Sequence, residues 1–292
     1  MRTALAGIID YAGLFPPASC TMTRAVSSYD SYRGSPDRWM LGRFIVAASR
    51  LDELGHVVDQ AGFGTPTDPW PLSVVMGVNM PAELALIMAF EETWGNQGFV
   101  VDALEYKVGS AGHALATASE LPARLTRFLE VPPHGPFDSV VEAIGRVGAF
   151  AKIRTGGTTP DLIPSSGDVL AFLQAAIKHA VPFKATAGLH HPFGGLYPLT
   201  YDDQAERATM FGFVNLLAAT AELMRSGDVE RALQILEEED AAAFVRCDDE
   251  LTWRGHSYDA ATLAATRDRG FLSFGSCSFR EPVDELQQDR PR

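Results

Sequence analysis

Short apolar, β-rich runs recur along this chain at even intervals, separated by segments of helical composition. The runs are "LAGIIDYA" (5–12), "GRFIVAA" (42–48), "LSVVMGV" (72–78), "FVVDALEYKV" (99–108), "RFLEVP" (127–132), "GAFAKIRTG" (148–156), "PFKATAGLH" (182–190) and "FGFVNLLAA" (211–219). Helical period or composition marks "LDELGHVVDQAG", "AELALIMAFEETWG" and "GDVLAFLQAAIKHA" between them. Strands that alternate with helices pair in parallel through right-handed crossovers, and eight such units are the arithmetic of a (β/α)8 barrel. A doubly wound open sheet would carry a glycine-rich phosphate turn after its first strand. The segment "DYAGLFPPAS" is not one. The expected fold is therefore α/β, a (β/α)8 TIM barrel over residues 1–222. A C-terminal helical extension, 223–292, packs on it within a single domain.

Composition narrows the function classes. A formal net charge of −13 argues against a protein that grips phosphate backbones, so no nucleic-acid partner is expected. No run approaches eighteen apolar residues, so no membrane partner is expected either. The start "MRTALAGIIDYAGLFPPAS" faintly imitates a signal peptide, but Asp10 interrupts it and it reads better as a first strand. Cys20, Cys247 and Cys277 are far apart and lack metal-ligand spacing, which favours a reducing, cytoplasmic setting.

Barrel strands alternate, and active groups lie at their carboxyl ends. On the seventh run Lys184, Thr186, Gly188 and His190 share one parity, while Phe183, Ala185, Ala187 and Leu189 form an apolar set suited to packing under helices. The polar set should face the lumen. By the same logic Lys152 and Arg154 on the sixth run, Glu105 and Lys107 on the fourth, Glu130 on the fifth, Asp10 on the first and Asn215 on the eighth point inward. A purely structural barrel would fill these layers with Val, Ile and Leu. A lumen that binds or transforms a ligand is the expectation.

Lys152 in "AKIRTGGTTP" and Lys184 in "PFKATAGLHHP" fall on consecutive strands, roughly 4.8 Å apart. Burial beside a like charge lowers a lysine pKa and frees the amine to attack a carbonyl. This pair of segments resembles class I aldolase barrels of the deoxyribose-phosphate aldolase type, in the same order and at similar separation. The resemblance covers about 45 residues. It implies Lys152 as the imine-forming residue and Lys184 as the neighbour that tunes it; among the inward carboxylates, Glu130 or Glu105 is expected to move protons as general acid/base. Arg154 stands where that family prefers a small hydroxyl residue; with Gly156 and Gly157 it suits a substrate carboxylate. Lys107, Tyr11 and His191 complete the expected substrate contacts, although His191 also reads as a brace for the loop that follows.

A second resemblance, to metal-dependent lyases of the hydroxymethylglutaryl-lyase kind, uses Asp10, His190 and Asn215 as ligands for Mg²⁺, Mn²⁺ or Zn²⁺. The expected function is thus an aldolase or lyase that needs no cofactor and works through a lysine Schiff base. The alternatives are a divalent-metal lyase, isomerase or hydrolase, and a barrel that binds a metabolite without turnover. The expected ligand is a small anionic or polyhydroxylated carbonyl compound, and a homo-oligomer is compatible with the sequence. "PFGGLYPLTYDD" (192–203) reads as a lid. Ser276 and Cys277 in "FGSCSF" read as buried structure, because no general base is identifiable beside them in the sequence. His56, His113, His134, His179 and His256 have no assigned role.

Overall fold

Seven of the eight expected runs are strands. The computed structural model describes residues 2–247 and 250–288. Its strands in chain order begin with β1 (Ile9–Tyr11), β2 (Leu41–Ala47), β3 (Trp70–Val75) and β4 (Phe99–Lys107). They continue with β5 (Thr126–Glu130), β6 (Phe150–Arg154) and β7 (Phe183–Thr186). An antiparallel hairpin follows, β8 (Gly195–Pro198) with β9 (Arg207–Met210), then a three-stranded antiparallel sheet of β10 (Phe244–Arg246), β11 (Glu250–Trp253) and β12 (His256–Asp259). The last strand, β13 (Phe271–Ser276), pairs in parallel with both β7 and β1 and closes an eight-stranded barrel in the order β1-β13-β7-β6-β5-β4-β3-β2.

The eighth run does not supply that strand. "FGFVNLLAA" lies mostly in the helix Phe213–Ser226, and every residue from Phe213 to Leu223 is buried. An α-helix buried on all sides loses its amphipathic period, so a short apolar run cannot be told from a central strand by pattern. Its Leu and Ala content favours the helix. The expected boundary at residue 222 falls inside this helix. The segment 223–292 is not an appendage, because β13 lies in it; the helix Arg280–Gln288 then ends the described chain.

Outward-facing strand residues meet the helices in a continuous apolar layer. Phe183 of β7 packs edge-on against Phe172 of the helix Ser166–Lys178, with ring centroids 5.2 Å apart, and stacks on Phe271 of β13 at 5.6 Å. Phe213 stacks on Phe274 at 4.9 Å, which fixes the buried helix over the closing strand. Each such ring contributes roughly 1.5–3 kcal/mol on leaving water.

Closure by β13 has a direct consequence. A chain truncated after residue 222 leaves β1 and β7 with unpaired edges and exposes the helix Phe213–Ser226. It should show no cooperative urea transition, whereas a chain of residues 1–288 should unfold in one; a cooperative transition in the 222-residue chain contradicts the role given to β13.

Candidate active site

The inward parity read from the strands brings one buried ionic chain into the barrel axis. Register places Lys152 opposite Lys184, and Glu130 opposite Lys152. Lys184 is fully buried, and its Nζ lies 2.6 Å from Asp10 Oδ2 and 2.7 Å from Glu105 Oε1. Glu105 turns its other oxygen, Oε2, to Lys152 Nζ at 2.7 Å, and Lys152 also reaches Glu130 Oε2 at 2.7 Å. Two serines complete the set. Ser73 donates to Glu105 Oε1 at 2.6 Å, and Ser273 donates to Asp10 Oδ2 at 2.9 Å. The backbone N–H of Arg43 donates to Asp10 Oδ1 at 2.8 Å. The ring of Phe128, two residues before Glu130, lies 5.2 Å from Lys184 Nζ, close enough for a cation–π contact.

These contacts set the charges. Burial alone would raise the Glu105 carboxyl, but the flanking ammonium groups of Lys152 and Lys184 outweigh it and hold the group far below the usual carboxylate range. Glu130 is likewise buried, and Lys152 keeps it lowered. Burial alone would lower Lys152, but Glu105 and Glu130 raise it above the ordinary lysine value. This overturns the expectation of an activated amine. The two lysines are neighbours, yet a carboxylate sits between them, so each ammonium is paired rather than repelled. The Schiff-base aldolase reading falls with that pairing.

The chain floors a cavity of about 440 Å³ at the carboxyl ends of the strands, lined by Glu105, Glu130, Lys152, Arg154, His190 and Cys277 among others. Lys107 and Arg154 stand on its rim, 3.8 and 3.9 Å from Glu130 Oε1, with side chains 74% and 34% exposed. Arg154 Nη1 also donates to the carbonyl of Gly156 at 3.5 Å. Gly157 lines the cavity, while Gly156 packs on Gly188, where an added Cβ would lie 2.8 Å from the Gly188 Cα. Ala187 and Gly188 both have positive φ, +57° and +77°, and the Thr155 hydroxyl holds the Ala187 carbonyl at 2.6 Å. The β6 and β7 ends are therefore locked together beside the cavity.

Several expected contacts lie elsewhere. Tyr11 is buried among aromatics, edge-on to Tyr32 at 5.3 Å and near Phe44, and it does not line the cavity. His191 bonds Glu285 at 2.8 Å and stacks on Tyr197 at 3.5 Å, so it braces the loop that follows. The three expected metal ligands do not converge. Asp10 is consumed by Lys184, Ser273 and the Arg43 N–H. Asn215 sits on the buried helix, where it accepts from the Gly194 N–H and donates to the carbonyls of Ile235 and Glu238 at 2.8 Å each. His190 is 3.4 Å from Glu281. Among the described residues, no three His, Cys, Asp or Glu side chains are grouped to hold a metal ion.

Sequence reasoning missed Ser73, Ser273, Tyr201 and Glu281, and named Cys277 only as buried structure. Reading "FLSFGSC" as a strand would have placed Ser273, Gly275 and Cys277 on the lumen parity. Tyr201 lies in the turn between β8 and β9, and its OH reaches Cys277 Sγ at 3.4 Å and Glu281 Oε2 at 3.1 Å. The expected lid loop is thus a hairpin anchored at the cavity edge.

No family model and no curated protein matches the chain. A similar solved structure is described as the spore cortex-lytic enzyme SleL of Bacillus megaterium QM B1551, with a TM-score of 0.42 and 12% identity over 98% of this chain and 74% of that one. Its description is that of a lytic enzyme and lends nothing to an aldolase reading. At that TM-score the likeness carries no argument about the reaction, and the correction rests on the paired lysines.

Removing Lys184 leaves Asp10 and Glu105 buried with one cation fewer. Breaking a buried pair in this way costs about 3–5 kcal/mol, so Lys184→Met should lose that much in urea unfolding at pH 7. A loss of under about 1 kcal/mol, the range of a surface pair, contradicts the network.

Proposed function

We propose that this barrel is a hydrolase acting on a small, carboxylate-bearing acyl compound. One observation carries the reading: an ammonium, Lys152, clamped between ionised Glu105 and Glu130 on the floor of a cavity rimmed by Arg154 and Lys107. Four cationic side chains, Lys107, Lys152, Arg154 and Lys184, face three carboxylates, Asp10, Glu105 and Glu130. The site is therefore locally cationic in a chain of net charge −13, which favours an anionic ligand. The cavity falls within the roughly 300–1,000 Å³ of small-molecule sites.

An ammonium has three N–H donors. Lys152 spends two on Glu105 and Glu130, which leaves the third for a substrate oxygen. A fixed positive donor of this kind stabilises negative charge as it develops on oxygen. Addition to an acyl carbon creates such charge, and hydrolysis needs only water as co-reactant. Glu130 stays ionised at neutral pH and fixes the Lys152 ammonium in place. Arg154, partly exposed on the rim, is placed to orient a carboxylate bidentately.

The test is a panel of small carboxylate-bearing esters, thioesters, lactones and amides. At least one class should be hydrolysed. Lys152→Met should lower kcat by about 10²–10³-fold, the usual cost of losing an oxyanion donor, while Arg154→Ala should act mainly on KM. Ligand-induced thermal stabilisation with no product across the panel would instead mark a barrel that binds without turnover.

A further inference from the structure

A second cluster opens on the same cavity, at the ends of β7 and β13. The two strands pair with Thr186 opposite Gly275, so the residues that follow them emerge side by side. Cys277 continues the inward parity of Ser273 and Gly275. Gly275 itself presents only hydrogen to the lumen, where an added Cβ would meet Ile45 Cδ1 at 3.2 Å and Thr186 Oγ1 at 3.3 Å. From β7, His190 brings its Nδ1 to 3.7 Å from Cys277 Sγ and 3.4 Å from Glu281 Oε2. One edge of the ring thus faces both thiol and carboxylate, with Ser276 Oγ at 3.5 Å. The Tyr201 hydroxyl bridges Cys277 and Glu281. Burial alone would lower the His190 pKa, but the bonds to Cys277 and Glu281 raise it to about 10, so the ring carries its proton at neutral pH. Cys277 and His190 both line the cavity floored by Lys152.

We propose that Cys277 is the nucleophile of the acyl hydrolysis, with His190 as its proton carrier and Glu281 and Tyr201 as positioning residues. This rests on the hydrolase reading of the same cavity. A thiol attacks as the thiolate, and an imidazolium held beside it by a third group is an arrangement that favours such attack. The thiolate sulfur bonds to the acyl carbon while the bond from that carbon to the leaving oxygen, sulfur or nitrogen breaks. The leaving atom takes the His190 proton. Water then adds to the thioester, its proton passes to the imidazole, the acid departs, and the thiolate and imidazolium are restored. The net change is acyl compound plus water to acid plus the protonated leaving group, with no oxidant or reductant.

The chain carries its own controls, since Cys247 is exposed and Cys20 half-buried. Native protein is treated with sub-stoichiometric iodoacetate, and the labelled peptides are mapped by mass. The buried Cys277 should be alkylated about tenfold or more faster than exposed Cys247. His190→Asn and Glu281→Gln should remove that advantage without changing the Cys247 rate, a readout that a merely structural role would not move. With a hydrolysed substrate, acid quenching should trap the acyl group on the Cys277 peptide, and Cys277→Ala should abolish turnover. Cys247 labelling first, or turnover retained in Cys277→Ala, overturns the proposal while leaving the hydrolase reading in place. A hyper-reactive Cys277 with no hydrolysis across the panel overturns the reaction class and leaves the nucleophile.

Discussion

Five ionised side chains share the axis of this barrel, and the rest of the structure is arranged around keeping them paired. Burying a charge costs several kcal/mol, which mutual attraction offsets only with close geometry and further hydrogen bonds. Here Glu105 accepts from Lys152, Lys184 and Ser73, and Asp10 accepts from Lys184, Ser273 and the Arg43 N–H. The groups come from β1, β3, β4, β5, β6, β7 and β13, with a backbone donor from β2. A one-residue slip of β6 or β7 would turn a lysine into the apolar layer under the helices. The network therefore fixes register at the same time as it sets the charge of the cavity floor.

Pairing decides the chemistry. Two lysines on adjacent strands suggest an amine made nucleophilic by a like neighbour, and a carboxylate inserted between them reverses the sign of the effect. Lys152 becomes a fixed cation suited to binding oxygen atoms as they gain charge. Nucleophilic character passes to the cavity wall, where the β7 and β13 ends set an imidazole beside a thiol. The helix Arg280–Gln288 supplies the carboxylate beside that imidazole, and the β8–β9 hairpin supplies the phenol that bridges thiol and carboxylate. The C-terminal segment thus builds part of the site as well as closing the barrel.

Much of this was legible in the sequence. The alternation of runs gave seven strands, and the split of "PFKATAGLH" into an apolar set and a polar set correctly pointed Lys184 inward. Periodicity failed at the eighth unit, because the helix Phe213–Ser226 is buried on every side from Phe213 to Leu223 while "FLSFGS" mixes small polar residues into a strand. That exchange carried Asn215 into the expected lumen and left Ser273 and Cys277 out of it. Parity also says which way a side chain points but not what lies between two of them. Lys152 and Lys184 were placed side by side without Glu105 between them, since that carboxylate arrives from β4, two positions around the barrel from β6. Tyr11 shows the same limit: at the end of β1 the phenol turns into an aromatic cluster instead of the cavity.

The central claim is that Lys152 is an ammonium throughout the working range of the protein. Its pKa is raised on folding, so the pairing stabilises the fold fully below the ordinary lysine value of 10.5 and is lost as pH rises through the higher folded value. Lysine-selective ¹³C labelling, with Lys152→Arg to assign the signal, lets the Cε shift be followed against pH. The account predicts an ammonium-like shift that persists to pH 10.5 and beyond. A Lys152 signal that titrates to the neutral amine below about pH 8, as a Schiff-base lysine does, would contradict it.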